Sequence, residues 1–493
     1  MTIETTLEPT PAANAAPAPA PNAAPTAVPA DASPATRAEA LRGLCGGAVH
    51  LPGDPGYDLA SMAWNVAVPQ RPAAVAVPRD AADVAEVVRA CAAAGLRVGP
   101  QSTGHNAGPL AARGLDDVVI VRMSGMTGVS IDPVSRTARV VGGTLWQDVV
   151  EAAAEHGLAA LHGSSPDVAV TGYSLGGGMG WYARALGLAT NSLTAVELVT
   201  AGGDLVRADA HQHPELFWAL RGGGGSFGVV TAMEFRLYEI EDAYAGFLLW
   251  DRERADEVVR AWARWSATAP DAVTTSLRVM SFPPMPELPD FLRGRQLVVI
   301  DGAVLGNDEL AQHLIAPLRA LSPEMDTCAR VPAASLSRLH MDPEGPTPAV
   351  SGHTMLAALP DEAIDAVLAQ VGHGCTTSLL AAEFRQLGGA LGRPHPGAGA
   401  LPQLDGAYAA FFVAIAATPE MGAAGQADAH RLVEALEPWT TGSPVLNFSE
   451  EPVDTRRAYA PDTFERLRAI RTVVDPRGLF AANHPVPTDH DLG

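Results

Sequence analysis

The sequence predicts an α+β protein of two domains, and three features carry that reading. From about Thr36 to Tyr238 short apolar runs alternate with helical patterns, the mark of a mixed α/β domain. After Glu239 the texture changes to longer helices interleaved with strands, as in a second α+β domain. The last fifty residues return to a strand-like run, Val445 to Phe448, and one strong helix. With 493 residues, 47% hydrophobic and 18% charged, the chain has material for two cores of ordinary size.

The elements follow in order. Met1 to Ala35 reads as a flexible tail: 20 of these residues are Ala or Pro and no apolar period runs through them. Ala73 to Val77 is a strand, and Asp80 caps a helix whose Val84, Val87, Val88 and Cys91 share one face, ending at Gly95. Val118 to Val121 is a second strand. Val129 to Ile131 and Ala138 to Val141 flank an Asp-Pro turn, and Leu145 to Glu155 is a helix with Gly157 just past its end. In the second half, helices are expected over Arg252 to Trp265, Asp308 to Leu321, Asp361 to Val371 and Gln426 to Leu436. Strands are expected over Thr274 to Met280, Leu297 to Ile300 and Tyr408 to Ala416, and a surface loop over Gly392 to Pro402. Thr463 to Val474 is a helix with Phe464, Leu467, Ile470 and Val473 on one face.

Composition excludes several function classes. The formal charge of −22 disfavours nucleic acid and anionic membrane as partners, and no run of about 18 apolar residues predicts a membrane span. The start of the chain does not read as a targeting signal, so a cytoplasmic protein is expected. The chain has no lysine, which rules out Schiff-base enzymes and P-loop NTPases. Cys45, Cys91, Cys328 and Cys375 have no CxxC pairing, and His211 and His213 before a helix read as a solvated helix start; no metal site is expected.

Four glycine-rich turns crowd the first domain: Thr103 to Gly108, Gly142-Gly143, Gly172 to Gly180 and Gly222 to Gly228. Without a Cβ, consecutive peptide N–H groups can converge on an anion such as a diphosphate. Gly223, Gly225 and Gly228 satisfy GxGxxG, and Gly224, Ser226 and Gly228 satisfy GxSxG. Both motifs require a strand before the loop and a helix after it, and here Pro214 to Arg221 reads as helix and Gly228 to Leu237 as strand. Neither a Rossmann fold nor a serine hydrolase is supported.

The order of Pro100 to Gly108, Val141 to Val149, Gly163 to Gly180 and Leu220 to Thr231, with Asn447-Phe448, Phe464 to Leu467, Asp475-Pro476 and Asn483-His484, resembles the berberine-bridge-enzyme-like oxidases. These are a branch of the vanillyl-alcohol-oxidase flavoproteins, with a PCMH-type FAD-binding fold. The resemblance implies an FAD domain over residues 36 to 240, closed by residues 441 to 493. It also implies a substrate domain over 241 to 440, an antiparallel sheet covered by helices. His105 matches the position that bonds the flavin 8α-methyl group. Gln101, Ser102, Thr103, Gly104, Asn106, Ser165, Asp167, Val168, Thr171, Gly172, Ser174, Gly176, Gly177, Gly178, Val229, Asn447, Phe448 and Asn483 match cofactor-contacting positions. Many members add a second flavin bond through a cysteine; here that position is Ser165, and a hydroxyl is a far weaker nucleophile than a thiolate. A single covalent link is expected.

The resemblance further implies an oxidase. A hydride from a small, secondary-metabolite-like substrate passes to flavin N5, and dioxygen reoxidises the flavin to give hydrogen peroxide. A dehydrogenase using a carrier and a non-redox cyclase or structural role are the alternatives. The tyrosine base of sugar-oxidising relatives is replaced by Val445, and the glutamate base of alkaloid-oxidising relatives by Ala409. Tyr408 is then the candidate base, with Asp405 second.

Overall fold

A computed structural model describes residues 32–286 and 288–488. Of the expected tail, residues 1–31 lie outside the described residues, while its last residues are ordered. Pro34–Ala38 forms a short helix capped by Ser33, whose hydroxyl accepts from the Thr36 N–H at 3.2 Å. Ala38 and Leu41 are fully buried in the first core.

That core belongs to a sheet of β1 (Val49–His50), β2 (Ala74–Ala76), β3 (Arg97–Gln101) and β4 (Val118–Arg122), in the order β1-β2-β4-β3. β2 and β3 both run parallel to β4, a pairing that needs a crossover, and the helix Ala81–Ala94 supplies it. Asp80 Oδ1 accepts from the N–H groups of Ala82 and Asp83 at 2.9 Å each, and Gly95 ends the helix at φ +66°. Val84, Val87, Val88 and Cys91 are fully buried, as their spacing predicts.

A second sheet follows. β5 (Val129–Asp132) and β6 (Thr137–Val141) form the expected hairpin, its turn held by Asp132 Oδ1 accepting from the N–H groups of Val134 and Ser135. After the short β7 (Leu158–Ala159), β8 (Leu193–Val199), β9 (Leu205–Asp209) and β10 (Val229–Arg236) complete the antiparallel order β5-β6-β10-β8-β9. The helix Pro214–Leu220 precedes the Gly222 loop and β10 follows it, the reverse of the nucleotide-loop order. β11 (Tyr238–Glu239) pairs with β7.

The third sheet is the largest: β12 (Asp242–Asp251), β13 (Val273–Ser281), β14 (Gln296–Val304), β15 (Met325–Asp326), β16 (Ala329–Pro332), β17 (Ala349–Leu356), β18 (Ala381–Gln386) and β19 (Tyr408–Ile415). Its order is β15-β12-β14-β13-β18-β19-β17, with β16 also on β12. Helices Ala255–Ser266, Asp361–Val371 and Pro419–Ala435 cover one face, burying Leu277, Ile300, Phe384, Phe412 and Tyr408 among them. Side chains alternate along a strand, so Ser276, Arg278, Asp301, Glu383, Arg385 and Phe411 must point to the opposite face. That uncovered face forms one wall of the site.

Two expectations at the C-terminus need correction. Val445 to Phe448 is not a strand: Val445 is extended, but Leu446–Phe448 turns as a 3-10 helix, the Phe448 N–H bonding back to the Val445 carbonyl at 2.9 Å. In the helix Pro461–Val474, Phe464, Leu467 and Ile470 are buried, but Val473 is 80% exposed. Successive steps of three residues each fall about 60° short of a full turn, and by Val473 the drift has carried the side chain to the far face. Beyond this helix, Asp475 accepts from the N–H groups of Leu479 and Phe480 and pairs with Arg471 at 2.9 Å. The turn so formed lays Leu479 to Ala481 along β3 through two hydrogen bonds to Val98. No helix among the described residues is long and apolar enough to cross a membrane.

Candidate active site

Between the glycine turns of the first half and the uncovered face of the large sheet lies a cavity of about 1400 Å³. Its first wall is the end of β3 and the turn after it. Arg122, buried at the end of β4, holds that turn from beneath, donating to the carbonyls of Ser102 (3.0 Å) and Met62 (2.8 Å) and, at 3.3–3.4 Å, to those of Ala60 and Thr103. All these acceptors are neutral, so burial pulls the guanidinium down to about 10, which still leaves it charged at neutral pH. Its part is to fix the turn, since its donors are spent on backbone carbonyls behind the cavity. Sequence reasoning missed Arg122, whose motif context is an ordinary strand end.

His105 is clamped at the head of the turn. Its ring stacks on Trp64 with centroids 4.1 Å apart and planes 18° apart, and Thr103 Oγ1 lies 2.7 Å from Nδ1. Nε2 is buried without a hydrogen-bond partner, and the Asp167 carboxylate stands beside it with Oδ1 3.5 Å away. Ser165 donates to the same oxygen at 2.9 Å.

Gln101, Ser102, Thr103, Gly104, His105, Asn106, Ser165, Val168, Thr171, Gly172, Gly176, Asn447, Phe448 and Asn483 all line the cavity. The other expected cofactor residues stand behind it. Asp167 acts on His105 from the side, and Ser174 and Val229 are buried in the protein. Gly177 and Gly178 serve internal packing: a Cβ on Gly177 would meet Leu401 at 2.8 Å, and one on Gly178 the Tyr173 ring at 2.4 Å. Gly172, by contrast, has nothing within 4 Å of an added Cβ, and Gly224 and Gly225 have nothing closer than 3.9 Å. The glycines thus divide into those that admit neighbouring protein and those that leave room in the cavity.

The donor set suits FAD. A cavity of this size, glycine backbone left open to it, and the unpaired buried oxygens of Asn106 and Asn447, which can accept from ligand N–H groups, fit a large ligand with phosphate and hydrogen-donating parts.

The opposite wall is a charged cluster on the large sheet. Glu383 Oε1 accepts from Arg385 Nε (2.6 Å) and Ser276 Oγ (2.7 Å), and His340 Nε2 lies 3.2 Å away. His340 Nδ1 donates to Asp301 Oδ2 at 2.7 Å, and Arg278 Nη2 donates to the same oxygen at 2.6 Å. Arg385 reaches Ser164 Oγ at 3.3 Å, and Ser164 reaches Asp342 at 3.2 Å. Burial and Arg278 push His340 down, but Asp301, Glu383 and Asp342 outweigh them and raise it to about 9. Burial raises Glu383, but Arg385, His340 and Arg278 hold it well below the usual carboxylate range. Three cations thus face three carboxylates. The Arg385 guanidinium also lies over the Phe448 ring, 5.0 Å from its centroid. The alternation in Ala381–Gln386 was the available sequence signal, apolar at Ala382 and Phe384, charged at Glu383 and Arg385.

A separate carboxyl faces the cavity. Glu450 Oε2 accepts from Ser351 Oγ at 2.8 Å, and burial raises the group to about 7 with no cation opposing it.

Both expected catalytic residues are corrected. Tyr408 is 3% exposed and points into the helix-covered core, where its hydroxyl bonds Ser266 at 2.8 Å and its ring packs on Trp262. On β19 the cavity face belongs to Phe411, Val413 and Ile415, and Tyr408 has the opposite parity. Asp405 is exposed, hydrogen-bonded to Gln403, and off the cavity. Ala409 and Val445, the positions to which the resemblance assigns the bases of other members, lie together in one apolar cluster. Tyr408→Phe is therefore expected to leave the rate of flavin reduction within about threefold of the parent, measured by anaerobic stopped flow; a loss of 10² or more would return the tyrosine to the chemistry.

The fold and this cavity define a flavoprotein, and comparison with known proteins agrees. Residues 72–209 match the FAD binding domain family. The chain is 38% identical over 205 residues to (R)-6-hydroxynicotine oxidase of Paenarthrobacter nicotinovorans, covering 41% of this chain and 44% of that protein, so the match spans under half of that relative's length. The solved 6-hydroxy-D-nicotine oxidase of Arthrobacter nicotinovorans superposes with a TM-score of 0.76 at 26% identity, covering 88% of this chain and 96% of that one. A berberine-bridge-enzyme-like protein of Physcomitrella patens has the same fold, with a TM-score of 0.77 at 21% identity over 90% of this chain and 97% of that one. The chain thus carries an FAD binding domain and has the fold shared by the berberine-bridge-enzyme-like protein and the hydroxynicotine oxidase.

Proposed function

We propose that the protein is a cytoplasmic FAD-dependent oxidase of a small organic, secondary-metabolite-type substrate, with its flavin attached once, through His105. The observation that carries this reading is the shared cavity, with His105 and the open glycines on one wall and the polar sheet face on the other. When bound, FAD supplies the hydride acceptor and passes the electrons to dioxygen, giving hydrogen peroxide. The protein's own part is to clamp, orient and exclude water. Ser165 spends its hydroxyl on Asp167, which supports a single link.

The substrate end is set by what replaces the missing bases. Arg385 stands directly across from Ala409 in the strand register, so a substrate oxygen or nitrogen meets a guanidinium and the Ser164 hydroxyl there. Met280, Leu292, Val413 and Ile415 give the same cavity an apolar side, which suits a compact, partly apolar substrate better than a sugar chain. Anaerobic mixing with 6-hydroxynicotine and related cyclic amines and alcohols, followed by air, tests the reading. Bleaching of flavin absorbance and stoichiometric peroxide on aeration are expected. Bleaching without oxygen turnover would make the protein a dehydrogenase, and no bleaching with any substrate would favour the non-redox alternative.

Acid precipitation and peptide mass mapping test the attachment. The flavin mass is expected on the His105 peptide alone, and His105→Ala is expected to leave all FAD dissociable. A flavin on the Ser165 peptide would overturn the single link.

A further inference from the structure

Every polar contact around the His105 imidazole is directional. Trp64 stacks on the ring and, through Nε1, donates to Asp167 Oδ2 at 2.6 Å, so one side chain sets the imidazole plane and the carboxylate beside it. The Gly345 N–H donates to the same oxygen at 2.8 Å, and Ser165 Oγ donates to Oδ1. Burial tends to protonate Asp167, but the neighbouring His105 and the bonds from Gly345 and Trp64 more than reverse this and hold it well below the usual carboxylate range. Asp167 is thus an ionised, threefold-anchored acceptor. A neutral imidazole has one N–H and one lone pair, and the partner of one nitrogen decides which is which. The ionised Asp167 carboxylate lies 3.5 Å from Nε2, and its charge favours the proton on Nε2 and the lone pair on Nδ1, where the Thr103 hydroxyl donates to it.

We propose that Asp167 is the positioning residue that activates His105 for covalent attachment of the flavin, with Nδ1 as the attacking atom; the inference rests on the reading of His105 as the link. In the step, Nδ1 forms a bond to the flavin 8α-carbon as the Thr103 hydroxyl turns aside. That carbon gives up one hydrogen as a proton, and the electron pair of the broken C–H bond stays in the ring. The flavin is left reduced by two electrons, and dioxygen takes both, with two protons, to become hydrogen peroxide. As the N–C bond forms, positive charge grows on the imidazole, and Asp167 stabilises it through Nε2–H before that proton is released. Thr103, Trp64 and Asp167 therefore act on the making of the holoenzyme.

Asp167→Asn keeps one acceptor oxygen, in the place of the Oδ2 that Trp64 and Gly345 share, while removing the charge. Holoprotein produced with this change is expected to contain the parent's total FAD and melt at the parent's temperature, with most of its flavin released by acid. Attachment to the flavin-free form on addition of FAD is expected to slow by about 10–100-fold, the scale on which partners of a reactive histidine act. Asp167→Glu, which restores the carboxylate, is expected to recover most of the attachment. Full attachment of Asp167→Asn at the parental rate would overturn the proposal. A second measurement needs no variant: the flavinyl peptide of the parent protein is expected to be Nδ1-linked by NMR, and an Nε2 link, made through the nitrogen assigned to Asp167, overturns it. Failure of the underlying reading looks different, since His105→Ala would then retain covalent flavin.

Discussion

Glu383→Ala is expected to destabilise the protein by about 3–5 kcal/mol, because it leaves Arg385 and His340 buried without their shared carboxylate. The loss comes from an uncompensated charge more than from missing contacts, so Arg385→Met combined with Glu383→Ala is expected to recover part of it. The pH dependence changes with it. His340 is raised from 6.5 to about 9 in the folded protein, so the stability it contributes is complete below 6.5 and disappears as the pH rises through 9. Removing Glu383 lowers the folded value and shrinks this alkaline loss. Urea unfolding at pH 7 and pH 9.5 checks both effects. A cost below about 1 kcal/mol at pH 7 would mean that water already screens the cluster.

Glu450→Gln is expected to act in the opposite direction. The folded protein raises this carboxyl from 4.5 to about 7, so between those values the native state keeps a proton that the unfolded chain has lost. Stability therefore falls as the pH rises from 4.5 towards 7 and flattens above it. A shift of this size corresponds to roughly 2–3 kcal/mol once the opening of the carboxyl onto the cavity is allowed for. Glutamine keeps an acceptor for Ser351 and carries no charge. The variant is expected to be more stable than the parent by that amount at pH 8 and no different at pH 4, in parallel thermal or urea melts. Equal stability at pH 8 would show that a bound cation or water already compensates the ionised carboxylate.

Local chemistry made much of the architecture legible. The helix over Ala81–Ala94 follows from Asp80, Gly95 and four apolar residues at helical spacing, because capping and amphipathicity are short-range properties. The hairpin at Asp132 is legible for the same reason, and so is the order of elements around Gly222–Gly228 that speaks against a nucleotide loop. The strands β12, β17 and β18 were not legible. Their residues read ambiguously in isolation, and pairing partners as far apart as Asp242 and Pro332 give them their form.

The sequence by itself determined the class of protein: the absence of lysine, the crowding of glycine turns and the order of motif blocks around His105 are properties of the chain as written. Which glycines leave room in the cavity and which admit protein was decided only by tertiary structure, since Gly172 and Gly178 differ in what lies above them, not in sequence. Tertiary structure also removed Tyr408 from the site. A strand turns alternate side chains to opposite faces, and only the register of β19 against β18 shows that Phe411 shares the cavity face with Glu383 while Tyr408 faces the helices. The charged wall opposite His105 arises in the same way. Arg278, Asp301, His340, Glu383 and Arg385 come from positions far apart in the chain, and the pairing of three strands and the loop carrying His340 brings their charges within hydrogen-bonding distance.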